Sequence, residues 1–170
     1  MATATYDLIA SQTLASAAAS ITFSSIAATY TDLRVILSAT YASPDSPRLR
    51  FNSTSTGYSR TFIGGQGSSA SSDLGVNESS IFLGDSGTYG ILGSSTIPDL
   101  TTIDIFSYTG STYKTILSTT SCDKNGTGFT ISYVALWQNT AAINTILLAT
   151  TSGNNYNTGT VASLYGIKSA

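Results

Sequence analysis

Nine acidic residues, seven basic ones and no histidine set the chemistry open to this chain of 170 residues. Without histidine there is no common general base and no common transition-metal ligand. Any Ser-His-Asp or Cys-His nucleophilic device is excluded with it. Carboxylate chemistry stays open. Asp99 and Asp104 would serve as a glycosidase-like pair if their separation fitted a sugar cleft. The plainer reading is two strand-end or surface carboxylates. Asp73, Glu78 and Asp85 lie in or beside Gly-rich stretches, where oxygen ligands on loops suit calcium. A few solvated charges on a polar loop explain them as well. Asp123-Lys124-Asn125-Gly126 opens like a calcium loop but lacks the later bidentate Glu. Its Asn-Gly step is a hairpin-turn signal. With no complete ligand or catalytic set, no cofactor, no dependence on metal and no enzyme activity are expected.

Two further sets of side chains would bind rather than react. Arg48, Arg50 and Arg60 would form a cationic stripe if their strands were neighbours. Such a stripe docks on acidic carboxylates of another protein, or simply protects a sheet edge from aggregation. Tyr58, Tyr89, Tyr113 and Tyr156 fall in or near loops. There they would cover apolar sugar faces, or else seal the ends of the domain with their hydroxyls in water. Cys122 is the single cysteine, so no intrachain disulfide forms.

The elements that must position these groups are strands. Charged residues make up 9% of the chain, far below the usual ~25%, and Ser and Thr fill roughly a third of it. That composition suits short strands and Gly/Ser turns, and lacks the Lys, Glu and Arg of long surface helices. Hydrophobic residues at 41% supply a core. A net charge of −2 with scattered basic residues argues against nucleic acid. No apolar run is long enough for a helical membrane span, and the opening MATATYDLIA does not read as a signal peptide.

Residues 31–41 carry the cleanest period-two pattern: Leu33, Val35, Leu37, Ala39 and Tyr41 on one face, Asp32, Arg34, Ser38 and Thr40 on the other, with Ile36 among them. Residues 48–52 alternate likewise, with Leu49 and Phe51 inward. The two runs read as a central antiparallel hairpin. Further strands are expected at 5–10, 21–24, 60–63, 79–83, 101–108, 112–121, 129–137, 143–149 and 161–168. A helical turn fits 15–20, and a long Gly/Ser loop 64–75. About ten strands with frequent turn signals make residues 1–170 one all-β domain, an antiparallel two-sheet sandwich of jelly-roll-like form. Its expected core includes Leu33, Val35, Leu37, Leu49, Phe51, Ile103, Ile105 and Trp137. The strand signals leave no room for a fibre shaft, which would show as heptads or a longer repeat.

Several phrases, taken in order, carry a resemblance: YDLIAS at 6–11, F-x-x-I-x-x-x-Y-T-D-L at 23–33, LRFN at 49–52, GxGSSASS at 65–72, YTGSTYK at 108–114, W-x-N-T-A-A-I-N at 137–144 and LYGIK at 164–168. Together they resemble a group of small tailed-phage virion proteins, found as stand-alone structural proteins and as distal domains of tail fibres. Ala27 stands where that group carries proline. The resemblance implies a virion structural protein, a cement or decoration protein sitting as a homotrimer on the capsid surface. Its partners would be copies of itself and the major capsid protein or another virion protein. It equally admits a tail-fibre tip gripping host glycan. It carries over no catalytic residues, and composition and hydropathy already argue against a nucleic-acid or membrane partner.

Overall fold

A computed structural model describes residues 5–84 and 93–168. The chain forms strands β1 (Tyr6–Thr13), β2 (Ser20–Phe23), β3 (Asp32–Ala39), β4 (Pro47–Phe51), β5 (Tyr58–Gln66), β6 (Ser69–Glu78), β7 (Ile81–Phe82), β8 (Asp99–Ile105), β9 (Lys114–Cys122), β10 (Phe129–Trp137), β11 (Ile146–Thr150) and β12 (Val161–Ile167). No helix occurs among the described residues. The strands build an eight-stranded sheet, ordered β1-β12-β3-β8-β9-β10-β5-β6, and a four-stranded sheet, ordered β2-β11-β4-β7. All pairings are antiparallel. The all-β sandwich expected from the sequence is therefore the observed fold, and the chain alternates between the sheets from β1 to β5, as a jelly-roll-like path does.

Period-two alternation becomes burial in β3, β4, β8, β9, β10 and β12, whereas β6 buries none of its residues. Leu33, Val35 and Leu37 of β3 are fully buried, as are Leu49 and Phe51 of β4 and Ile103 and Ile105 of β8. Across the sandwich Phe51 of the small sheet meets two rings of the large one. Its centroid lies 5.4 Å from Trp137 and 6.3 Å from Tyr58, while Tyr58 stacks on Trp137 at 16°. Each such ring contributes about 1.5–3 kcal/mol by leaving water, plus roughly 0.5–1.5 kcal/mol per well-oriented ring pair.

Three sequence expectations change. β3 and β4 do not form a hairpin: β3 pairs with β12 and β8, and β4 with β11 and β7. Residues 40–46 exceed a tight hairpin loop and carry the chain from one sheet to the other. Asp45, fully buried, fixes that crossing. Its carboxylate accepts N–H bonds from Ser46 at 2.8 Å, Ser152 at 2.9 Å and Asn154 at 3.1 Å. Second, most of 64–75 is not loop but the β5–β6 hairpin, turning at Gly67 with a φ of 56°. Glycine and serine are poor strand formers by propensity. Gly64 is nonetheless required beside β10, where a Cβ would come within 2.9 Å of Ile131 Cγ1. Third, 15–20 makes no helical turn, and Ala18 instead bridges Tyr156.

Candidate interaction surface

The outer face of the eight-stranded sheet is the most distinctive surface of the molecule. Strand register assembles it row by row. One row crosses all eight strands through Leu74, Thr61, Val134 and Leu117, then Asp104 and Arg34, and ends at Tyr165 and Leu8. A neighbouring row runs through Ile63, Ser132, Thr119, Thr102, Ile36 and Ser163. Because side chains alternate along each strand, the buried inner residues leave these outward. Leu8, Ile63, Leu74, Leu100, Leu117 and Val134 are all exposed, at 45–67%.

This face is almost without charge. Of the ionic residues on its strands, Arg34, Asp104 and Asp32 share the outward parity, whereas Asp7, Arg60, Asp73, Glu78, Asp99 and Lys114 stand in the rows of the other face. Arg34 and Asp104 neutralise each other through two parallel bonds, Nε to Oδ1 at 2.5 Å and Nη2 to Oδ2 at 2.7 Å. The Asp104 hydrogen bond raises the Arg34 pKa above its ordinary value. The guanidinium also lies 5.6 Å from the Tyr6 ring centroid. Asp32 accepts a bond from the Ser107 N–H at 2.7 Å. What remains is an array of mostly aliphatic and hydroxyl side chains.

The arginines do not form one stripe. Arg48 and Arg50 stand on the outer side of β4 in the small sheet, with Arg50 Nε donating to the Ser79 carbonyl at 2.9 Å. Arg60 is 5% exposed and lies in the other sheet. It pairs with Glu78 at 3.1 Å, between the rings of Phe62 and Phe82. Its parity with buried Tyr58 and Phe62 along β5 was the signal that it points inward.

The tyrosines divide as well. Tyr58 and Tyr156 are fully buried and offer no ring face to a glycan. Their hydroxyls are satisfied inside the protein rather than by water. Tyr58 accepts the Phe51 N–H at 2.9 Å, and Tyr156 donates to the Ala149 carbonyl at 2.8 Å. Tyr113 is exposed. Tyr89 lies outside the described residues.

The acid candidates are not brought together. Asp99 points inward and Asp104 outward, on opposite faces of β8, so they cannot flank one sugar. An odd interval of five along a strand already implies this. Glu78 is held by Arg60, and Asp85 lies outside the described residues. Asp123 caps a hairpin turn: its Oδ1 accepts the Asn125 N–H at 2.9 Å, and Asn125 and Gly126 have φ of 53° and 104°. The turn reading holds there. A shallow concavity of about 700 Å³ beside this turn is lined by Gly65, Leu100, Cys122 and Phe129 with Asp123 as its one carboxylate. Among the described residues no three His, Cys, Asp or Glu side chains group as a metal site.

Composition alone did not reveal two buried charges. Lys114 faces inward on β9 opposite Trp137, and its Nζ donates to the Gly110 and Thr112 carbonyls at 2.6 Å each. Asp99 is 1% exposed; the Cys122 thiol and the Tyr41 hydroxyl lie beside its carboxylate, but among the described residues no bond of ordinary geometry reaches either oxygen. Burial lifts its pKa to about 6. Beside it, the Cys122 thiol is pushed up to about 11 by burial and then by Asp99, which leaves it protonated and unreactive. Comparison with family models, curated proteins and solved structures finds no match to this chain.

Proposed function

We propose that this chain is a non-enzymatic structural protein of a tailed-phage virion, decorating the head surface as a homotrimer in contact with the major capsid protein. The ordered phrases from YDLIAS to LYGIK suggest the virion setting. The observation that carries an assembly role is the broad, nearly uncharged outer face of the large sheet. A surface with so many exposed aliphatics marks an interaction site rather than an ordinary solvated face. A catalytic role has little to rest on: the chain has no histidine, Asp99 and Asp104 lie on opposite faces of β8, and the concavity beside the β9–β10 turn is lined by one carboxylate.

The fibre-tip reading, with loops gripping host polysaccharide, would draw on exposed aromatic faces. Two of its four tyrosines are interior and Tyr113 is exposed, so among the described residues these four present a single open ring. Quantitative gels of purified virions test the choice. Decoration gives a copy number that scales with the major capsid protein, in groups of three. A copy number as low as a tail fibre's overturns it.

A further inference from the structure

We infer that the outer face of the eight-stranded sheet is where copies of this chain meet. The inference deepens the homotrimer part of the proposal above and does not depend on where in a virion the protein sits.

Three observations choose a second copy as the occupant. The first is charge. The chain is net negative, so copies of it repel wherever their acids approach. On this face the central ion pair, Arg34 with Asp104, is closed within one chain, and it presents neither sign to a partner. Two like-charged copies approach there at little electrostatic cost. A partner recognised by charge would need the opposite design. The second is chemistry. Exposed Leu117 and Val134 sit side by side, with exposed Ile63 and Leu74 on the adjoining β5 and β6 and Thr61, Thr115, Thr119 and Ser132 among them. Aliphatic area mixed with hydroxyls and depleted of charge has the composition of a protein contact. The third is size. Eight strands of 7–10 residues, spaced about 4.8 Å apart, make a face on the order of 1,000 Å². A standard interface takes about 800 Å² from each partner.

Sedimentation velocity of the purified chain across a micromolar range tests this, beside the double variant Leu117→Asp/Val134→Asp and the control Arg50→Glu on the opposite sheet. The wild type and Arg50→Glu should sediment as oligomers, and the double variant as a monomer with at least a tenfold weaker association. An unchanged far-UV spectrum would show that the variant folds. If it does not fold, Ser132→Cys supplies the reading, since Cys122 is buried. The new thiol should react with maleimide several-fold more slowly as concentration rises. A wild type that stays monomeric, a folded double variant that associates as the wild type does, or a Ser132→Cys thiol whose rate ignores concentration would each overturn the inference. None of these results touches the copy number in virions, so the two proposals fail separately.

Discussion

Replacing Asp99 by Asn should make the protein more stable at neutral pH, and by an amount that depends on pH in a defined way. Asp99 opens β8, faces the interior and is 1% exposed. Burial disfavours its charged form and lifts its pKa from 3.8 to about 6. The Cys122 thiol, Lys124 and the Tyr41 hydroxyl pull it only part of the way back. The shift is about two units, worth roughly 3 kcal/mol at ~1.36 kcal/mol per unit. The sign follows from linkage. A folded-state pKa above the unfolded one means that the folded protein holds the proton more tightly. The associated stability is fully present below the unfolded pKa, near 3.9, and is lost as pH rises through about 6. Asn keeps the shape and cannot ionise. The advantage of Asp99→Asn over the wild type should therefore be near zero at about pH 4 and grow to roughly 3 kcal/mol by about pH 8. Urea unfolding of both proteins across that range measures it. The remaining carboxylates titrate alike in both and cancel in the difference. A difference that is flat with pH, or that shrinks as pH rises, would refute the reasoning.

Two other substitutions probe the interior. Phe51→Ala removes the ring that links the two sheets through Trp137 and Tyr58, and should cost about 3–5 kcal/mol in denaturant unfolding. A cost below about 1 kcal/mol would mean that those contacts do not hold the sheets together. Lys114→Met keeps most of the buried stem but leaves the Gly110 and Thr112 carbonyls without their donor. The same assay should show a loss of about 1–3 kcal/mol. A stabilised variant would show that the desolvated ammonium costs more than its bonds return.

The face assignments were legible in the sequence because a strand's side chains alternate with a period of two, whatever the strand pairs with. That rule places Leu33, Val35, Leu37, Ile103 and Ile105 in the core. It also puts Asp99 and Asp104 on opposite sides of β8. The Asn125-Gly126 turn was legible for an equally local reason, since few residues tolerate positive φ. Pairing was not legible. β3 and β4 alternate alike, and nothing in that pattern says that one belongs to the eight-stranded sheet and the other to the four-stranded. The fates of Tyr58 and Tyr156 were hidden for the same cause, and parity aimed Arg60 inward without showing what would hold it there. A polar tip can be buried only where a partner waits, and the partners here are the Phe51 N–H, the Ala149 carbonyl and Glu78. The charge-poor surface needed the tertiary structure most. Each strand contributes only a few hydroxyls and one or two aliphatic side chains. The register of eight strands drawn from across the chain sets Leu74, Val134, Leu117 and Leu8 in one row, with Arg34 and Asp104 closing their charges between them. Alternation is a property of each strand's own backbone, whereas neighbourhood is a property of which strands hydrogen-bond. That is settled only when the whole sandwich buries its core.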